Sequence, residues 1–118
     1  MNREIKFRTY YQVSKRFLYH IDIKDFSYII DNINFDEYPS FQQYTGLKDK
    51  TGKEIYEGDI LKYKQHLFNI VPEKFPIKIK EVKWLECEGK WNVYETRAGE
   101  SEIEVIGNIY ENPELLNK

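Results

Sequence analysis

The chain has 118 residues and carries 18 Lys and Arg against 20 Asp and Glu, a formal charge of −2, which excludes a polyanion binder working through net charge. That length makes one ordinary domain or two very small ones, burying roughly 65% of the unfolded surface without covalent staples. No apolar run approaches the ~20 residues of a membrane-spanning helix, and Cys87, the single cysteine, excludes an internal disulfide. The start, Met-Asn-Arg-Glu-Ile-Lys-Phe-Arg, lacks the apolar stretch of a secretory signal, so a cytoplasmic location with no membrane partner is expected. One Ala stands against fourteen Ile, ten Tyr and seven Phe, a composition poor in the best helix former and rich in strand formers. The expected class is all-β.

Ile5, Phe7 and Thr9 alternate with Lys6, Arg8 and Tyr10, the period of a strand with one buried face. The chain reverses over Val13 to Arg16, and a return strand with Phe17, Tyr19 and Ile21 on one face completes a first hairpin. From Ile21 to Phe35 the apolar positions fit neither period cleanly. Ile23, Phe26, Ile30 and Ile33 sit at helical spacing while Tyr28 to Ile30 read as strand, and strand is favoured. Pro39, between acidic residues and the next apolar run, suits a connection, which divides the chain into a hairpin region at 1–40 and a barrel-like region at 41–118.

After it, the polar run Lys48 to Lys53 predicts a hairpin loop in which Gly52 takes positive φ, joining a strand near Tyr44 to one beginning near Ile55. Gly58 interrupts an apolar series and predicts a bulge or bend before Ile60. Patterning fades between Lys64 and Pro76, a long loop bracketed at its end by Pro72 and Pro76. It resumes with Ile77 to Val82, turns at Glu88-Gly89 into Lys90 to Tyr94, turns again over Arg97 to Ser101, and ends in a strand from Ile103 to near Tyr110. Asn112-Pro113-Glu114 opens one helical turn. From Ile55 onward this order resembles a small, partly open SH3-like barrel, an analogy of fold that carries no function.

The uninterrupted run Gln43 to Ile60, with Tyr44, Gly46, Gly52, Tyr56, Gly58 and Asp59, resembles the YopX family of phage and prophage proteins. The N-terminal block Arg3 to Arg8 and the C-terminal block Ile103 to Leu116, with Gly107, are similar to the family's two ends. One departure is Gln42, where the family commonly has Met. The resemblance implies a small, mainly β, oligomeric protein of a bacterial host's cytoplasm, and it brings no catalytic residues.

Asp49, Glu54, Glu57 and Asp59 could form a carboxylate cluster for a metal or for acid–base chemistry, because hard cations need converging oxygens. They flank a turn and a bend, where local hydrogen bonding and solvation outweigh that reading. His20 and His66 lie in different halves and fall short of a zinc ligand set. Cys87 sits between Glu86 and Glu88, whose charge suppresses a thiolate. Gly46 and Gly52 read as turn glycines, since a phosphate-holding loop opens onto a helix. No cofactor and no catalysis by this chain alone are expected.

Lysines interleaved with aromatic and apolar residues at Lys62, Lys64, Lys78 and Lys80 could track a single strand of nucleic acid, and a nucleic-acid-binding barrel acting in phage replication or gene control is the alternative function. Alternating Lys is also the outward face of a half-buried strand, and Glu81, Glu86 and Glu88 offset it. The favoured function is a self-associating interaction module for an unidentified host or phage protein, because the aromatics exceed what small cores can hold.

Overall fold

The alternating N-terminal segment forms β1 (Lys6–Tyr11), which a four-residue reversal returns as β2 (Arg16–Asp22), antiparallel to it. The structure, a computed structural model, describes residues 5–22, 24, 31–32, 34–94 and 99–117. Among the described residues of the segment expected as strand from Ile21 to Phe35, only Ile21 and Asp22 are strand. Asp31 and Asn32 are helical and Phe35–Glu37 is a 3-10 turn, while Ile23, Phe26, Tyr28 to Ile30 and Ile33 lie outside the described residues. The side chain of Asn34 accepts a hydrogen bond from the Asp36 N–H, the local capping that makes Asn and Asp poor strand residues.

β3 (Pro39–Lys48) starts at the proline, where a missing N–H costs no ladder bond, and pairs along β1 from Tyr11↔Pro39 to Phe7↔Gln43. Its far half pairs with β4 (Glu54–Tyr56), giving a sheet in the order β2-β1-β3-β4. The loop between β3 and β4 turns at Gly52, whose φ of 91° is the left-handed conformation expected of it. Gly46 is inside β3, where the register with β4 shifts between Tyr44 and Lys48, so it serves a bulge and not the turn assigned to it from sequence.

A tight bend at Glu57-Gly58 leads into β5 (Asp59–Gln65), the centre of a second sheet between β6 (Ile77–Glu81) and β9 (Glu100–Asn108). The long β5–β6 connection carries a 3-10 turn at Pro72–Lys74. A short ladder, β7 (Trp84–Leu85) with β8 (Lys90–Trp91), follows β6, and Pro113–Leu116 closes the chain as a 3-10 turn. Arg97 of the expected turn lies outside the described residues. Every element given a range is a strand or a 3-10 turn, and the sheets curl into a half-barrel: the fold is all-β.

Ile55, Leu61, Val82, Trp91 and Val93 form the apolar core, with Leu47, Ile103 and Val105 packed on it. In β6 the core side is that of Lys80, continued by the fully buried Val82 just beyond the strand, while Ile77 is 59% exposed, so the outward face expected of the alternating lysines is reversed at Lys80. A comparable correction applies to β1. It is a central strand buried on both sides, with Lys6, Arg8 and Tyr10 buried along with Thr9, and Ile5 is 42% exposed.

Candidate functional site

Of the residues singled out in the central run, Tyr56, Gly58 and Asp59 meet at the seam between the two sheets, with Tyr44 packed on Tyr56. Arg8 on β1 is 2% exposed and donates to Asp59 Oδ1 at 2.8 Å, to Gln42 Oε1 at 2.7 Å and to the Glu57 carbonyl at 3.2 Å. Its guanidinium lies over the rings of Phe17 at 4.7 Å and Tyr56 at 4.9 Å, so its flat faces are apolar-packed while its edges are hydrogen-bonded. Gln42 supplies an acceptor that a Met side chain lacks. The departure from the family pattern therefore belongs to this guanidinium.

Asp59 also accepts the Tyr56 N–H at 2.8 Å. Burial pushes its carboxyl above the ordinary Asp range, and the Arg8 charge and the Tyr56 N–H only partly offset that rise. Tyr56, packed against Tyr44 and Tyr19, is itself raised by burial and by the Glu54 carboxylate. Next to Asp59, the bend at Gly58 donates its N–H to Val82 and accepts from the Ile109 N–H, tying β4–β5 to both neighbours of β5. Gly107 meets the tail: a Cβ there would stand 2.5 Å from Asn112 Oδ1 and 2.9 Å from its Cβ, so only glycine admits this close approach. Tyr110 stacks on Tyr10 at 4.6 Å and shares a hydrogen bond with Ser40, holding the C-terminus against the first sheet.

Of the four carboxylates weighed as a cluster, three serve different partners and Glu57 is engaged, among the described residues, only through its backbone. Asp49 is buried and accepts from the N–H groups of Thr51, Lys53 and Val105 and from the Thr51 hydroxyl. Burial raises its pKa, but those donors outweigh burial and hold it below the ordinary value. It thereby docks the β3–β4 loop on β9, with a second bond from the Lys50 N–H to the Ile103 carbonyl. Glu54 pairs with Lys6, and Asp59 with Arg8. Among the described residues no group of three or more His, Cys, Asp or Glu is placed to hold a metal ion. His66 contacts the Ser101 hydroxyl and stacks on Phe75, His20 lies in β2, and Cys87 is exposed in the β7–β8 turn.

The four candidate nucleic-acid lysines are divided between the faces of the second sheet. Residues directly opposite in a ladder share a face: Lys62 and Lys64 stand with Ile79 and Ile77, whereas Lys78 and Lys80 stand with Tyr63 and Leu61. Lys64 pairs with Glu102 at 2.7 Å, and that contact and the Lys64 charge lower the Glu102 pKa. Lys80 pairs with Glu100 at 2.6 Å, donates to the Asn92 carbonyl, and lies over Tyr63 and Tyr94. Of the four, only Lys62 and Lys78 are exposed, on opposite sides.

What the sequence reading missed is an apolar loop between β5 and β6. Phe68 is 92% exposed, and Leu67, Ile70 and Val71 beside it are exposed as well. The base of this loop is tied, with the Gln65 N–H donating to Pro76 and the His66 N–H to Gly99. The run Leu67 to Val71, interrupted only by Asn69, was a readable signal, hidden because fading alternation was taken as loop and loops as polar.

Compared with known families, residues 4–117 match the one described as YopX protein. The chain belongs to the YopX family. No curated protein matches it. Among solved structures it is similar to protein EF1440 from Enterococcus faecalis, with a TM-score of 0.60 and 26% identity, covering 98% of this chain and 99% of that one. Both sheets and the seam of this YopX-family chain thus fall within the shared fold. Among the described residues no helix is long and apolar enough to cross a membrane.

Proposed function

We propose that this YopX-family chain is a non-enzymatic, self-associating protein-interaction module, an accessory of phage or prophage genomes working in the cytoplasm of a bacterial host. The observation that supports this reading is the tied loop with Phe68 at 92% exposure. A large aromatic held in water by an anchored loop gains by burial against a partner, about 25 cal/mol per Å² of apolar area removed from water. Leu67, Ile70, Val71 and Ile77, also exposed, extend the apolar character beyond one ring. Clustered phosphate-neutralising cations, on which affinity for a nucleic acid depends, are lacking where two lysines stand on each face and two of the four are paired.

Light scattering from micromolar to millimolar protein tests the reading. The expected mass rises above the 14.3 kDa of one chain, and Phe68→Ser with Val71→Ser returns it to that value. A wild-type chain that stayed at monomer mass throughout would remove self-association from the proposal.

A further inference from the structure

A second surface feature, independent of the Phe68 loop, is a cleft of about 280 Å³ lined by Gln43, Glu57, Trp84 and Trp91. The two tryptophans are opposite each other on the β7–β8 ladder, with ring centroids 5.1 Å apart and planes at 77°. They make two walls of an aromatic corner. Trp91 is 6% exposed and Trp84 43% exposed, so one wall is fixed in the core and the other is open to a ligand.

The third wall is acidic. Glu57 is half-buried, and among the described residues its carboxylate has neither a hydrogen-bond donor nor an ion-pair partner. Arg8, which reaches the Glu57 carbonyl, has its charge committed to Asp59, and Lys83, next to Trp84 in sequence, pairs with Glu81 at 3.9 Å. The cleft therefore combines indole faces, which attract cations, with one uncompensated negative charge.

We infer that this cleft receives an arginine side chain presented by a partner polypeptide. A guanidinium stacks flat on one indole while its edge donates to a carboxylate, a combination that an ammonium cannot reproduce. Gln43 adds an amide at the rim.

The test is an NMR titration of the full chain, following the two indole N–H resonances, with an acetylated glycyl-arginyl-glycine amide and its citrulline counterpart, which keeps the shape and removes the charge. Both resonances are expected to move saturably with the arginine peptide at millimolar concentration, and about tenfold more citrulline peptide is needed for the same shift. Glu57→Gln is expected to weaken the arginine peptide by about tenfold while leaving the citrulline peptide unchanged, and Trp84→Ala to abolish both. Indole resonances that ignore the arginine peptide, or answer the two peptides equally, overturn the inference. Resonances that move with protein concentration alone in the chain carrying Phe68→Ser and Val71→Ser also overturn it, since the occupant is then a second copy of this chain.

Discussion

Two interiors stand side by side in this chain and are built on different principles. The core shared by β4, the second sheet and the β7–β8 hairpin is aliphatic with one tryptophan, its members Ile55, Leu61 and Val82 fully buried. The seam between the sheets is polar and aromatic, with Arg8 and Asp59 each 2% exposed and wrapped by Tyr56, Phe17 and Gln42. The first depends on volume, which neighbouring apolar side chains can share. The second depends on direction, because the Arg8 guanidinium must meet Asp59, Gln42 and the Glu57 carbonyl at set angles and a buried charge left unpaired is costly. A buried ion pair adds little net stability over an apolar substitute, as the raised Asp59 pKa reflects, yet it fixes which strand lies against which.

That contrast is broken most strongly by Arg8→Met, which leaves Asp59 buried without its partner. Chemical denaturation is expected to show a loss of about 3–5 kcal/mol. Next comes Asp49→Asn, which weakens the anchor between the β3–β4 loop and β9 by about 1–2 kcal/mol near neutral pH, where it exchanges charged for neutral hydrogen bonds. The sign of its pH dependence follows from its lowered pKa. The folded chain binds fewer protons than the unfolded one, so the Asp49 contribution is whole above the ordinary value of 3.8 and is lost as pH falls through the folded value. The gap between wild type and Asp49→Asn should close below 3.8 in urea titrations, and a gap that widened there would contradict the assignment. Asp59, raised by burial, acts in the opposite sense: its protonation favours the fold as pH falls through the range above 3.8. The mildest expected effect is in the aliphatic core, where Leu61→Met conserves volume and should cost less than about 1.5 kcal/mol.

The same contrast explains which parts were legible in the sequence. The turn at Gly52 and the first hairpin could be read because local chemistry decides them: a polar run ending in glycine, and alternation on either side of a short reversal. The apolar series on either side of Gly58 could be read as well, and its ends Ile55 and Ile60 are fully buried. The seam could not. Arg8 and Lys80 sit in alternating patterns where a charge reads as the solvent face, and their partners Asp59 and Glu100 lie 51 and 20 residues away along the chain. Nothing local marks a cation that will be buried against a distant carboxylate. For the same reason the four lysines read as one stripe, whereas the β5–β6 register separates them into two pairs on opposite faces.

The central claim is that direction, carried by the Arg8–Asp59 pair, joins β1 to β5. A double-mutant cycle with Arg8→Met and Asp59→Asn, followed by urea denaturation, tests it most directly. Each single change strands the other group, so the double variant is predicted to be less destabilised than the sum of the singles by about 2 kcal/mol. Additivity within about 0.5 kcal/mol would mean that the two side chains are not energetically coupled and that apolar packing alone holds the seam.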